Sequence, residues 1–238
     1  NGTTISWEYP GGGVGPQPGP GGSFTESWDN GLNGWTLIDN DGDGHNWYHS
    51  TEAGNHSTMA VTSHSGAGHL MGESYCNATW QALTPDDYVV TPQQYTIGSG
   101  STFSFWACTQ DVSYPSEHFG IAISTGSNTN ASDFTTIAEW TITAKGAGKA
   151  ITGRDGRASR EGAWYQFSAD LSNYAGQNVW IAVRHFGCTD QFILNIDDAE
   201  LTSGAKSNRD VVFFNGFVTD PGAMANGADA SWIKGTQT

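Results

Sequence analysis

The chain has 238 residues, enough for one large β domain with extensions or for two small domains. Its formal net charge is −15, and such a surface repels DNA, RNA and anionic lipid, which removes nucleic-acid and membrane-surface binding from the leading function classes. Only 14% of residues are charged, while 32 glycines and 10 tryptophans, among many Ser, Thr and Asn, favour strands and turns over helices.

Residues 1–9 contain Thr3-Thr4-Ile5-Ser6-Trp7-Glu8-Tyr9, which reads as one isolated strand. Residues 10–22 form a Gly/Pro linker that sustains neither a helix nor an internal strand. The strand is therefore predicted to pair with the main body, a neighbouring domain or another subunit. The main domain is predicted over residues 23–203. Short apolar or alternating runs recur there at 35–38, 88–90, 102–106, 119–123, 137–142, 164–167, 179–186 and 192–196, separated by Gly, Asn, Asp, Ser and Pro. This spacing predicts an all-β fold, an antiparallel sandwich or jelly roll, with no long amphipathic helix.

Residues 144–162 are Gly-rich and carry Lys145, Lys149, Arg154, Arg157 and Arg160, so a long exposed loop is expected there. Residues 204–238 form an extension of unassigned role with one apolar run, Val211-Val212-Phe213-Phe214. The chain begins at Asn1 and shows neither a signal peptide nor a membrane-length apolar run, so it reads as a processed piece of a longer precursor.

Cys76, Cys108 and Cys188 are odd in number, so at least one is free or pairs outside the chain. Cys108 ends the apolar run Phe103-Ser104-Phe105-Trp106-Ala107 and is expected to act as a small buried hydrophobe. Cysteine spacing matches no zinc knuckle or CxxC motif, and no cluster joining His to Cys is visible.

The strongest chemical signal is Asp39-Asn40-Asp41-Gly42-Asp43-Gly44-His45. Calcium takes six to eight oxygens at roughly 2.3–2.6 Å, and alternate carboxylates on a bent loop can converge on one ion. An EF-hand would need Glu at the twelfth loop position, where Ser50 stands, and its flanks would be helices, whereas residues 35–38 read as a strand. A different calcium loop is expected, completed by remote ligands. Asp197-Asp198, at the end of the 192–196 strand, is the first candidate partner, Asp29 the second and Asp86-Asp87 the third. His45 is expected to offer its carbonyl, since calcium prefers oxygen.

These residues resemble the cleaved-adhesin domains of the gingipain and haemagglutinin proteins of oral Bacteroidetes. The resemblance covers about residues 24–201. It is carried by Glu26-Ser27-Trp28-Asp29-Asn30-Gly31-Leu32, the acidic loop through Trp47, Leu83-Thr84-Pro85-Asp86-Asp87-Tyr88, Phe105-Trp106-Ala107-Cys108, Ser116-Glu117-His118-Phe119, Val183-Arg184-His185-Phe186 and Ile196-Asp197-Asp198-Ala199-Glu200. It implies a jelly-roll β-sandwich with structural calcium held by Ser27, Asp29, Asp39, Asp41, Asp43, His45, Asp86, Asp197 and Asp198. The family writes Glu where Asp29 stands here, which keeps the carboxylate and shortens its reach. The resemblance further implies a secreted or cell-surface adhesin, non-catalytic, with a host protein or cell-surface glycan as partner.

Two rival readings come from the residues themselves. Exposed Trp47, Tyr48, Trp80 and Tyr114 would suit a carbohydrate-binding module, and strand 1–9 would suit a homo-oligomer, a surface filament assembled by strand exchange. Catalysis has little support. HExxH, GxSxG and phosphate-loop motifs are absent; the spacing of His185 and Cys188 does not place their side chains together, and Glu73 with Glu117 is only a nominal acid/base pair.

Overall fold

A computed structural model of the chain describes residues 21–143 and 148–204. The expected strand 1–9, the linker up to residue 20, Lys145 and the extension from 205 onward, with its 211–214 run, lie outside the described residues.

The apolar and alternating runs form strands of two antiparallel six-stranded sheets, five of them internal and three at the sheet ends. One is ordered β14 (Tyr165–Asp170), β9 (Thr102–Thr109), β16 (Ile193–Leu201), β4 (Leu70–Glu73), β3 (Tyr48–His49), with β1 (Phe24–Glu26) on the far end of β16. The other is ordered β11 (Thr135–Thr141), β10 (His118–Ser124), β15 (Asn178–Phe186), β7 (Asp86–Val90), β2 (Thr36–Asp39), with β8 (Tyr95–Thr96) on β15. Two small hairpins complete the described strands: β5 (Tyr75–Cys76) with β6 (Gln81–Ala82), and β12 (Ala150–Thr152) with β13 (Ala158–Arg160). Neighbours in each sheet are mostly distant in sequence, and the sheets pack face to face as a jelly-roll β-sandwich.

Side chains alternate between the two faces of a strand, so every second residue enters the core. Phe103, Phe105 and Ala107 of β9 face Phe119, Ile121 and Ile123 of β10 and Val179, Ile181 and Val183 of β15 across one apolar cluster. Each of the Phe, Ile and Val side chains among them contributes about 1.5–3 kcal/mol by leaving water. On β16, Leu194 and Ile196 enter the same core, and Asp198 would follow them. A β-bulge prevents this. Asp197 pairs with Trp106 while Glu200 pairs with Ser104, and Asp198 takes the extra place at φ 47°. Ala199 and Leu201 then resume the inward row.

The stretch expected as one long exposed loop is in part the β12–β13 hairpin, and it is anchored. The Arg154 guanidinium lies 3.7 Å over the Tyr75 ring and 4.1 Å over the Tyr114 ring, and it donates to Asp190 Oδ1 at 2.6 Å. Trp47 and Tyr48 also differ from the carbohydrate-binding expectation, being buried among core residues. All three cysteines are free and buried. Among the described residues the helical segments are three short 3-10 turns.

Candidate metal centre

The acidic loop leaves β2 at Asp39 and turns back towards β3. Each aspartate organises the amides that follow it, as short polar side chains do in turns. Asp39 Oδ1 accepts from the Gly42 amide at 2.6 Å and its Oδ2 from the Gly44 amide at 3.0 Å. Asp41 accepts from the Asp43 amide at 3.2 Å, and Asp43 from the His45 amide at 2.7 Å. Gly42 and Gly44 sit at φ 74° and 85°, where a side chain is disfavoured. The loop is thus wound inward, and one oxygen from each of Asp39, Asp41 and Asp43 lies within 4.8 Å of the others. Two oxygens on opposite sides of a calcium ion, each at about 2.4 Å, are separated by about the same distance.

The fourth carboxylate is Asp87, which faces Asp39 across the β2–β7 ladder. It is 3% exposed, and its Oδ1 has no partner. Burial, with the charges of Asp41, Asp39, Asp43 and Asp86 adding to it, pushes the Asp87 carboxyl up to about 8. Asp41 is likewise raised by burial. Asp39 is lowered: burial opposes this, and the amides of Gly44 and Gly42 outweigh it. Asp86 is committed elsewhere, its Oδ1 taking Arg184 Nε at 2.7 Å and its Oδ2 taking Asn40 Nδ2 at 2.7 Å. The pair Asp86-Asp87 therefore divides, with Asp86 clamping the loop base and Asp87 facing the acidic cluster.

Asp197 and Asp198 do not join that cluster; their hydrogen-bond partners lie on a different loop. Asp197, fully buried, accepts from the Ser65 amide at 3.1 Å, and burial raises its carboxyl to about 6. Asp198, turned outward by the bulge, meets His64 Nδ1 at 2.6 Å and Ser65 Oγ at 2.7 Å. Asp29 holds the other side of this loop, accepting from the amides of Ala67 and Gly68 and, at 3.2 Å, from Ser27 Oγ. Those amides hold the Asp29 carboxyl below its ordinary range. A Cβ at Gly66, which has φ 55°, would overlap the Asp29 carboxylate. The expected ligands thus fall into two groups: Asp39, Asp41, Asp43 with Asp87, and Ser27, Asp29 with Asp197 and Asp198 around loop 64–68.

The His45 ring turns away from the acidic loop. Its Nδ1 is 3.2 Å from Glu73 Oε2, while His56 Nδ1 is 3.1 Å and Tyr48 Oη 3.2 Å from Glu73 Oε1. His45, Glu73 and Cys76 offer donor atoms within 4.8 Å of one another, and so do Glu117, His185 and Cys188. The expectation that His and Cys do not cluster is therefore overturned: strand pairing joins what sequence spacing keeps apart. Glu73 and Glu117 are each buried and hydrogen-bonded within these clusters, which leaves neither presented to a sugar.

Of the four aromatics considered for stacking, Trp80 stands free at 72% exposure. Met59 is equally exposed. Both border a groove of about 610 Å³ between residues 57–62, Trp80 and the β12–β13 hairpin.

The Cleaved Adhesin Domain family model matches residues 23–201. Lys-gingipain W83 of Porphyromonas gingivalis is 37% identical over 191 residues, covering 76% of this chain and 10% of that protein. Hemagglutinin A of the same species is 35% identical over 179 residues, covering 74% of this chain and 8% of that protein. The chain thus spans about a tenth of the length of these relatives. The crystal structure of the K1 cleaved adhesin domain of Lys-gingipain superposes with a TM-score of 0.61 at 34% identity, over 76% of this chain and 98% of that one. The K3 domain does so with a TM-score of 0.61 at 31% identity and the same coverage. Matched by the family model over residues 23–201, and by relatives and crystal structures that each cover about three quarters of it, the chain belongs to the Cleaved Adhesin Domain family.

Proposed function

We propose that this domain is a non-catalytic extracellular adhesion module, secreted or held at the cell surface, that is stabilised by calcium and binds a host protein or cell-surface glycan. The observation that carries the reading is the cluster of Asp39, Asp41 and Asp43 oxygens within 4.8 Å of one another, with Asp87 buried across the β2–β7 ladder from Asp39 and one of its oxygens unpartnered. Without metal such a crowd is relieved by holding protons, and a bound cation relieves it with the carboxylates ionised; the donors are all oxygen, which suits calcium over zinc. The three loop aspartates with Asp87 and the His45 carbonyl would hold one ion. Ser27, Asp29, Asp197 and Asp198 would serve a second around loop 64–68. When bound, calcium supplies neutralising charge and a fixed loop; the chain's own part is to converge the oxygens and wind the glycines.

For the binding half, the supporting feature is the groove flanked by Trp80 and Met59, two large apolar side chains left open at one edge of the sandwich. An aromatic ring presented this way stacks on sugar or aromatic partners.

Two measurements test the reading. At a hundredfold excess over Kd, calcium contributes about 2.7 kcal/mol, so chelation should lower Tm by roughly 5–10 °C; an unchanged Tm would remove calcium from the proposal. Trp80→Ala should leave Tm within about 2 °C and weaken binding to immobilised host proteins or a glycan array by about tenfold or more. Equal binding by the variant would move the contact surface elsewhere.

A further inference from the structure

Three side chains from two parts of the chain meet where β10 begins and β15 ends. Glu117 directly precedes β10, His185 is the penultimate residue of β15, and Cys188 lies in the turn towards β16. Glu117 and His185 are fully buried, and Cys188 is nearly so. His185 Nε2 is 2.9 Å from Glu117 Oε2, and Cys188 Sγ is 3.3 Å from that nitrogen and 3.4 Å from that oxygen. The three atoms form a small triangle with one nitrogen, one oxygen and one sulfur corner.

The surroundings aim these atoms at one point. Glu117 Oε1 accepts from Ser74 Oγ at 2.9 Å and from the Phe192 amide at 2.8 Å, which fixes the carboxylate and turns Oε2 towards His185 and Cys188. The other imidazole nitrogen, His185 Nδ1, is buried without a partner, so Nε2 is the engaged atom of the ring. Nucleophilic catalysis does not fit. One nitrogen faces both the thiol and the carboxylate, whereas a relay uses the two ring nitrogens separately. Burial, together with the charge of Glu117, also pushes the Cys188 thiol up, away from the nucleophilic thiolate.

We infer that Glu117, His185 and Cys188 form a zinc site with an open fourth position. At ordinary Zn–S, Zn–N and Zn–O lengths, tetrahedral ligand atoms stand about 3.3–3.6 Å apart. The triangle is shorter than this by roughly 0.1–0.4 Å, the contraction that direct hydrogen bonds between ligands produce. One nitrogen, one sulfur and one carboxylate oxygen are zinc donors, and the sulfur and nitrogen disfavour calcium, so this site is chemically distinct from the acidic loop. Binding balances charge. The Cys188 S–H proton leaves to solvent as the Zn–S bond forms, the imidazole proton stands on Nδ1, and thiolate plus carboxylate neutralise the dication in a buried setting. Ser74 and the Phe192 amide orient the carboxylate from behind, as outer partners of metal ligands do. A cavity of about 430 Å³ lined by Ser116, His118, Thr141, Cys188 and Gln191 borders the sulfur corner alone, the side from which an ion and a fourth ligand would enter.

Cobalt substitution tests this on the intact chain with calcium in excess to occupy oxygen sites. One equivalent of Co²⁺ should give a thiolate-to-cobalt charge-transfer band with intense four-coordinate visible bands, and stoichiometric Zn²⁺ should displace it. The band should disappear in Cys188→Ser and persist in Cys76→Ser. Ser74→Ala should weaken zinc binding by about tenfold. If Cys188→Ser fails to fold, the wild-type chain decides: zinc should slow iodoacetamide labelling of Cys188, mapped by mass spectrometry, and leave Cys76 and Cys108 unchanged. Absence of a thiolate band, unaltered Cys188 labelling, or a band that survives in Cys188→Ser and is lost in Cys76→Ser would each overturn the site; the last would place the ion at His45, Glu73 and Cys76 instead.

Discussion

Asp87 carries the largest electrostatic cost near the acidic loop, and the sign of that cost is fixed by its burial. A carboxyl raised from 3.8 to about 8 binds its proton more tightly in the folded than in the unfolded chain. Metal-free stability should therefore fall as pH rises through that window. Asp87→Asn should raise the metal-free stability at pH 8 by something on the order of 3 kcal/mol while shrinking the increment that calcium adds. Chelated and calcium-loaded melts of both proteins check this, and a variant that gains nothing without metal would contradict it. His69 has the opposite sign. Its imidazole bridges Ser63 Oγ at 2.9 Å and Asn195 Oδ1 at 3.1 Å in a fully buried place, and burial lowers it to about 4 from 6.5. The unfolded chain takes up this proton first on acidification, so the contribution of neutral His69 is present above the unfolded value and is lost as pH falls from about 6.5 towards 4. An NMR titration should find His69 still neutral at pH values where an exposed histidine is charged; a midpoint near the ordinary value would refute the assignment.

At the scale of elements, loop 64–68 joins the two ends of the domain. Asp29 follows β1 and Asp197-Asp198 lie within β16, yet both hold this loop, and β1 itself pairs with β16. Gly66 is the residue that permits the approach, through its φ of 55° and its missing Cβ. Gly66→Ala should cost about 1–3 kcal/mol through backbone strain and displacement of the Asp29 carboxylate. A denaturant midpoint unchanged by this substitution would show that the loop is not held in this way. The β12–β13 hairpin is held differently, by a guanidinium between two tyrosine rings. Five basic side chains in a Gly-rich stretch read as a solvated loop because sequence shows charge but not what covers it. The bulge in β16 is equally silent in sequence: Ile196-Asp197-Asp198-Ala199 breaks the alternation, and only the pairing with β9 shows that the break is one extra residue.

For the whole molecule, the acidic loop joins β2 of one sheet to β3 of the other, and loop 64–68 precedes β4 and is anchored by β16. Calcium removal should thus destabilise the sandwich as a unit, with near-UV and far-UV signals lost in one coincident transition. The sequence by itself determined the class of fold: eight apolar or alternating runs are each recovered as a strand, because strand periodicity is local. It also determined the acidic loop, since three aspartates and two glycines act within seven residues. Tertiary structure decided the partners. Asp87 rather than Asp86 faces the loop because pairing with β2 and the Arg184 ion pair give adjacent residues opposite surroundings. Asp197-Asp198 went to loop 64–68, and Glu117, His185 and Cys188 came together across 71 residues, because strand register is set by distant pairings that no local pattern records.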